Sequence, residues 1–597
     1  MQYPETINGI AIRRVDRGAS RVAYHRKKAG RWVPLTCQES YDQAERLGLV
    51  LRALGLKRGE KVAIVAQTRP EWLTSDSAIL MQGAVVVGIY PTSTAEQVLY
   101  ILQHSESRMA IVENPAQLDR LRPHLRELPR LQVLILMEGA PSQLPSTLQA
   151  FAWAEVMTRG QMLVAQQKGL MRQLALDVPP DALATLVYTS GTTGQPKGAM
   201  LTHRAFYQVV MAFKEVFETQ SEEISLLFLP LAHVLQRYTT YLGMEIGGVG
   251  YFAESIEKLP DNLAEVRPTV LATVPRVLEK IHTKVLATVD AGTPLRRAIF
   301  AHALEVGRRY HSRAPGTPAP FWLQLQYDMA EKVVFSKIKA RLGGRIDRIV
   351  SGGAPLSPAI SEFFFSMGLL VIEGYGLTET CAPATTNTPA SFRFGTVGKA
   401  LPGVVLRIAE DGEVLIQSPG LFSGYFKDPE STAAALCDGF FHTGDVGSLD
   451  ADGFLRITDR KKELIITAAG KNIAPQPLEN MLKQHRLISQ VALHGDKRPY
   501  LTALITLDEE EVRQQLQDRQ TPWSRLVEDS RVVEAIRSAV EQLNTQVAPY
   551  ETIKQYALLA DDFSIERGEL TPTLKLKRRV VAEHYAQLLD RLYTSSR

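Results

Sequence analysis

Apolar residues recur at helical spacing through residues 38–56, where Tyr41, Ala44, Leu47, Leu51 and Leu54 share one face, and this predicts an amphipathic helix. The pattern then changes. Residues 61–66 form a short run, apolar after Lys61, that follows Gly59, as expected for a buried strand. A longer apolar stretch, 78–90, is broken by Gln82, Gly83 and Gly88 and reads as a buried helix–turn–strand. No run of about 18 apolar residues occurs, so no membrane span is expected. Helix and strand patterns go on alternating, which predicts an α/β fold with doubly wound sheets. The clearest unit comes late: a strand at 346–350, a turn at 351–355, and Ser357 with Pro358 as helix cap and first position. That helix runs to Met367, Gly368 ends it, and 369–373 is the next strand. Such a crossover implies parallel pairing.

Two regions depart from this rhythm. Residues 276–345 are helix-rich, carry a proline-rich break at 314–320, and lean basic through Arg296, Arg297, Arg308, Arg309, Arg313, Lys332, Lys337, Lys339 and Arg341. They read either as solvated helix faces or as a patch resting on anionic lipid headgroups. After about residue 400 short strands and tight turns take over, at 413–417, 450–453 and 454–458, which predicts a small barrel-like subdomain. The charged break DRKKE at 459–463 sets the expected boundary. Residues 1–458 would form a large unit, and 459–597 a small mobile α+β unit ending in a basic tail.

Composition narrows the possibilities. A chain of 597 residues suggests two to four compact units, and 45% hydrophobic against 22% charged residues suits a soluble globular protein. A net charge of +4 is too mild to argue for nucleic-acid binding. Cys37, Cys381 and Cys437 lie far apart, with neither metal spacing nor a disulfide framework, which suits a reducing cytosol. The first residues are mixed polar and make no signal peptide, so a cytoplasmic location is expected, with peripheral membrane contact if the basic helices meet lipid.

The chemistry concentrates in a few motifs. YTSGTTGQPKG (188–198) follows an apolar strand at 182–187. Its glycines let the backbone approach a bulky anion, its hydroxyls and exposed N–H groups suit phosphate oxygens, and Lys197 adds positive charge. A proline precedes that lysine and a glycine follows it, so this is not the Walker A loop. The run resembles the signature of the adenylate-forming superfamily, which includes acyl-CoA synthetases, luciferases and peptide-synthetase adenylation domains. Further motifs of that family follow in order. They are SGGAP (351–355), GYGLTET (374–380), TGD (443–445), DR (459–460) and ELTPTLKLKRR (569–579), the last in the form typical of long-chain fatty acyl-CoA synthetases. LPLAHVLQ (229–236), the helical insertion before Gly343 and DRKKELIITAAGKNIAP (459–475) point to the same branch.

The resemblance implies roles. Thr189, Ser190, Gly191, Thr192, Thr193, Gly194 and Lys197 would cradle the phosphates of ATP. Gly352, Gly353, Ala354, Gly374, Tyr375 and Gly376 would form the adenine side, with Tyr375 stacked on the base. Thr378 would bond the α-phosphate, Glu379 would hold Mg²⁺, and Asp445 and Arg460 would take the ribose. Lys462 falls at the hinge position. Lys575 aligns with the catalytic lysine, with Lys577 as the alternative. His233 is either a structural histidine or a gate beside the acyl site. Gly470 would line the path of the pantetheine arm after the small unit rotates. The activity implied is ATP-dependent activation of a fatty acid to an acyl-adenylate, followed by thioester formation with coenzyme A. An acyl-AMP ligase or carrier-protein ligase of the same fold is the alternative, and a non-catalytic lipid-binding scaffold the reading from another class.

Overall fold

The computed structural model describes residues 3–189, 195–217, 223–313, 317–468, 470–571 and 575–594. Two large sheets form the body. The first has seven strands, in the spatial order Gln149–Ala152, Val133–Leu136, Met109–Val112, Lys61–Val65, Val85–Ile89, Leu183–Thr189 and Lys197–Thr202. All pairs are parallel except the last, a hairpin. Val62, Ala63, Ile64 and Val65 are at most 1% exposed, which is why that strand reads as an unbroken apolar run. The helix predicted at 38–56 spans Cys37–Ala53. Thr36 and Glu39 close a capping box at its start, and it ends at Gly55 with φ +89°.

The second sheet has nine strands. Its central members, Ile224–Leu227, Val270–Thr273, Arg348–Ser351 and Leu370–Tyr375, are parallel. The late crossover is therefore present, with helix Pro358–Ser366 between its strands and Gly368 at φ +77°. Ser357 stands at the cap position, but its hydroxyl makes no cap bond and instead accepts from Gln484 Nε2 at 2.9 Å. A tertiary partner has displaced the local one.

The two sheets are joined by a buried polar knot. Arg237, on helix Val234–Ile246, donates to Thr185 Oγ1 at 2.6 Å and Tyr241 Oη at 2.9 Å, and pairs with Asp76 of helix Pro70–Leu80. Tyr241 donates to the other Asp76 oxygen at 2.6 Å. A charge so enclosed persists only because every arm is met.

Residues 276–345 are helical as expected, with helices Pro275–Asp290, Pro294–His311, Phe321–Ala330 and Ser336–Arg341. The subdomain after residue 400 is an open antiparallel sheet and not a closed barrel. Its strands are Val405–Ile408, Glu413–Gln417, Phe440–Leu449, Leu436–Cys437 and Leu455–Arg460. A two-residue edge strand gives too short a ladder to close the ring. Beyond it a three-stranded sheet, Ile488–His494, Leu501–Leu507 and Ile553–Leu559, packs with helices Pro475–Leu482 and Ser530–Asn544 around a core of its own that includes Leu482, Ile505 and Ile536.

Candidate active site

Antiparallel pairing of Phe440–Leu449 with Leu455–Arg460 sets Asp445 opposite Arg460. The guanidinium Nε lies 3.1 Å from Asp445 Oδ1, and Tyr375 donates its hydroxyl to Oδ2 at 2.6 Å. The Asp445 backbone N–H donates to Thr443 Oγ1 at 3.0 Å. A carboxylate met on both oxygens, on a backbone pinned by its own N–H, keeps a fixed orientation, as recognition of a vicinal diol requires.

Tyr375 closes strand Leu370–Tyr375, and the chain then turns sharply. A side chain at Gly376 would put Cβ 1.9 Å from the Ala382 carbonyl oxygen, so only glycine fits. The tight turn Thr378–Thr380 follows, pinned where the Leu377 N–H donates to Thr380 Oγ1 at 2.8 Å. Thr378 and Glu379 are buried at 8% and 7% exposure. Glu379 Oε1 accepts from Tyr425 Oη at 2.8 Å, and among the described residues no donor meets Oε2.

The hairpin Leu183–Thr189 to Lys197–Thr202 puts Thr189 opposite Lys197. The Lys197 ammonium lies 3.5 Å from Asp428 Oδ2, bonds Ser431 Oγ, and sits 5.2 Å from the Tyr425 ring centroid. Ser190, Gly191, Thr192, Thr193 and Gly194 lie outside the described residues.

A second hairpin brings the tail in. Leu570 bridges Leu576, the Thr571 N–H donates to the Lys575 carbonyl at 2.8 Å, and the Lys575 N–H donates to Thr571 Oγ1 at 3.0 Å. Lys575 is exposed where it lines the cavity, yet many protein atoms are packed around it. That crowding pushes its ammonium down to about 8; the charge of Arg460 adds to the push, while Asp445, Glu463 and Glu379 oppose it. Lys577 also faces the cavity, but burial alone depresses it and no charged neighbour perturbs it. Of the two, Lys575 is the one embedded among the charged groups of the site.

His233 combines both readings offered for it. It caps helix Val234–Ile246 by accepting the Leu235 N–H on Nδ1 at 3.2 Å, and it lines the cavity. Burial, then the charge of Lys575, pushes its imidazole down to about 4, so it stands neutral near pH 7.

These groups border one cavity of about 890 Å³, whose wall includes Thr189, Lys197, His233, Gly352, Gly353, Gly374, Gly376, Thr378, Glu379, Arg460, Lys462 and Lys575. Tyr375 and Asp445 stand just behind the wall, joined to it through Arg460. Ala354 and Gly470 are not on it. Gly470 has φ +73°, and a Cβ there would meet nothing within 4 Å, so a turn, and not close packing, calls for glycine in this arrangement. The apolar end of the cavity, at Phe213, Tyr238 and Val350, is shared with a smaller chamber of about 70 Å³.

Sequence reasoning missed Tyr425, Asp428 and Ser431. Asp428 was findable, since it caps helix Pro429–Ala435 by accepting the Ser431 N–H at 2.9 Å, a legible Asp-Pro start. Tyr425 lies in an irregular turn with no period to single it out.

The description "AMP-binding enzyme" belongs to the family model that matches residues 12–426, and "AMP-binding enzyme C-terminal domain" to a second that matches 462–597. Among curated proteins, the long-chain-fatty-acid–CoA ligase FadD15 of Mycobacterium bovis is 38% identical, covering 96% of this chain and 94% of its own. The long-chain-fatty-acid–CoA ligase ACSBG2 of Gallus gallus is 32% identical, covering 100% and 82%. Among solved structures, the adenylation domain of a carboxylate reductase from Mycobacterium chelonae is similar with TM-score 0.77 at 24% identity, over 99% and 91% of the two chains. An anthranilate CoA ligase in complex with anthranoyl-AMP follows with TM-score 0.74 at 18% identity, over 99% of each. At those identities the structures speak for the fold alone.

Proposed function

The chain belongs to the AMP-binding enzyme family, and from that premise we propose that it is a long-chain fatty acid–CoA ligase. It activates a fatty acid with ATP to an acyl-adenylate and passes the acyl group to coenzyme A. The observation that carries this reading is the meeting of Lys575, Glu379, Arg460 and the Thr189–Lys197 hairpin on one cavity with an apolar end.

The first step must bring two anions together, since a carboxylate oxygen attacks the α-phosphorus and pyrophosphate leaves. Lys575 and Lys197 supply positive charge beside the low-dielectric protein wall, where charge counts for more than in bulk water. Thr378 and the loop from Thr189 onward offer donors to phosphate oxygens. Asp445, oriented by Arg460 and Tyr375, accepts from the ribose hydroxyls. His233, neutral, holds the wall beside the acyl group without adding charge.

No group of three or more His, Cys, Asp or Glu suited to a metal occurs among the described residues. Mg²⁺ still fits, because it keeps several waters and takes oxygens from substrate phosphates, needing one or two carboxylates from the protein. Glu379, with one oxygen fixed by Tyr425 and the other unmet, is suited to hold it. When bound, that ion supplies charge neutralisation at the phosphates.

The second step requires room for a thiol where Lys575 stands. We assign residues 1–458 to a large adenylating unit and 459–597 to a small unit that turns about Lys462, withdrawing Lys575 and bringing Gly470 to the acyl carbonyl. A peripheral contact with membranes belongs to this reading, since the substrate partitions into lipid.

The test is AMP formation from palmitate and ATP, with and without coenzyme A. The ligase reading expects palmitoyl-CoA and AMP in equal amounts when coenzyme A is present. Release of free acyl-AMP with coenzyme A ignored would indicate an acyl-AMP or carrier-protein ligase. No turnover of ATP with acids of any length would indicate a scaffold.

A further inference from the structure

The helix Phe321–Ala330, continuing through 331–335 into Ser336–Arg341, is apolar on two opposite faces. Its inner face is fully used. Tyr327 stacks on Tyr310 at 3.9 Å, the Tyr310 hydroxyl donates to Gln324 at 3.0 Å, and Ala330 and Phe335 are buried. The outer face is a second apolar stripe. Phe321, Leu325, Met329 and Val333 fall along one line of the helix, with Trp322 on its flank. Their exposures are 72%, 43%, 61%, 47% and 71%. The Phe321 and Trp322 rings meet each other edge to face at 5.4 Å.

A surface helix ordinarily turns charge to water, so large side chains gathered on the wet face mark an interaction surface. No helix of the described residues is long and apolar enough to cross a membrane, so this stripe can only lie along a surface.

Charge selects the occupant. The acids nearby are already taken. Lys339 pairs with Glu331 at 2.7 Å, Asp328 accepts from Gln324 at 2.8 Å, and Arg308 pairs with Glu305 at 2.8 Å. Lys332, within the stripe, Lys337, farther along the same helix, and Arg309, on the neighbouring helix Pro294–His311, are exposed and have no carboxylate partner among the described residues. Asp328 keeps its charge, because its partner is a neutral amide, but three unpaired cations against that one carboxylate leave the balance positive. Aromatic rings at a helix start, with free cations about 15 Å further along the same helix, match the anionic lipid interface, where rings sit at headgroup depth and cations meet phosphates. A second copy of the chain would set these cations against one another.

We propose that the stripe formed by Phe321, Trp322, Leu325, Met329 and Val333, flanked by Lys332 and Lys337, docks the enzyme on anionic bilayers. The proposal rests on the peripheral contact put forward above and gives it a surface.

Sedimentation with vesicles of phosphatidylglycerol and phosphatidylcholine, beside pure phosphatidylcholine, tests it. The unmodified protein is expected to bind the anionic vesicles and to be released by salt. The double variant Phe321→Ser/Trp322→Ser should bind roughly tenfold or more weakly, because each ring removed forfeits its apolar burial. Lys332→Gln/Lys337→Gln should weaken binding at low salt. Both variants should form AMP normally from a short water-soluble acid, which shows that they are folded. Unchanged binding of both variants would overturn this surface while leaving peripheral contact standing. Equal binding to neutral and anionic vesicles would overturn the anionic match. No binding by the unmodified protein would overturn surface and contact together. Self-association lost in the aromatic variant, without vesicle binding, would assign the stripe to a second copy and overturn the proposal.

Discussion

Lys575 sits where the proposed chemistry calls for its charge and its surroundings resist it. Burial and Arg460 push its ammonium down to about 8, so in the free enzyme the cation is lost as pH rises through that value. The first half-reaction, measured as kcat/KM for ATP, should therefore fall above about pH 8. Lys575→Arg should remove that falling limb, because a guanidinium stays charged, at the cost of a lower plateau from altered geometry. His233, pushed down to about 4, is neutral on both sides of this window, so His233→Ala should leave the limb in place. A limb that persists in Lys575→Arg would assign the ionisation to another group. Tyr425 makes a second argument at this scale. Its hydroxyl fixes Glu379 Oε1 at 2.8 Å, and a hydrogen bond to a charged group is worth about 1.5–3 kcal/mol. Tyr425→Phe should lower the first half-reaction by about tenfold or more. Its melting temperature should change little, since the ring and its packing on Phe422 remain.

Among the elements, the turn after strand Leu370–Tyr375 is the least forgiving. A Cβ at Gly376 would stand 1.9 Å from a backbone oxygen that cannot swing aside, so Gly376→Ala should displace Thr378 and Glu379 together. Loss of adenylation with a modest drop in thermal midpoint is the expected result, read by pyrophosphate release beside calorimetry. The buried knot behaves differently. Asp76→Ala strands the Arg237 guanidinium and should cost about 3–5 kcal/mol in denaturant unfolding. How much of this was legible depended on what made each element. The strand Lys61–Val65 and the late crossover could be read because a strand covered on both faces must be apolar throughout, and glycine at Gly368 is required by φ +77°. The YTSGTTGQPKG run, GYGLTET and the tail lysine were visible as ordered motifs. Asp76 with Arg237, Tyr425 with Glu379, and Gln484 with Ser357 were not, because each joins residues far apart in sequence that leave no local period. The open sheet after residue 400 was expected to be barrel-like for the same reason: strand lengths are local, but closure depends on edges.

At the scale of the molecule, beyond Lys462 the small unit meets the body, among the described residues, through two side-chain hydrogen bonds. Gln484 donates to Ser357 at 2.9 Å, and Arg276 Nη2 donates to Ser489 Oγ at 3.1 Å. Within the small unit and its link, Arg578 pairs with Glu479 and, at 3.3 Å, with Glu463, so the tail that carries Lys575 is tied to the segment proposed as the hinge. If rotation separates the two half-reactions, the two cross-contacts exist only while Lys575 is in the cavity. Together they are worth about 2–4 kcal/mol, one being neutral and one charged. Removing them in Gln484→Ala/Arg276→Ala should shift the population away from the adenylating arrangement by roughly thirtyfold or more. Adenylation measured in a single turnover should then slow, while thioester formation from supplied acyl-AMP should hold or rise. Lys462→Pro should do the reverse, because a ring that fixes φ resists the rotation itself. That variant should still release pyrophosphate yet stall before acyl-CoA. Opposite signs from the contact variant and the hinge variant are hard to obtain from general destabilisation, which lowers both half-reactions together. Parallel losses in both variants would mean that Lys575 and the thiol do not take turns at the site.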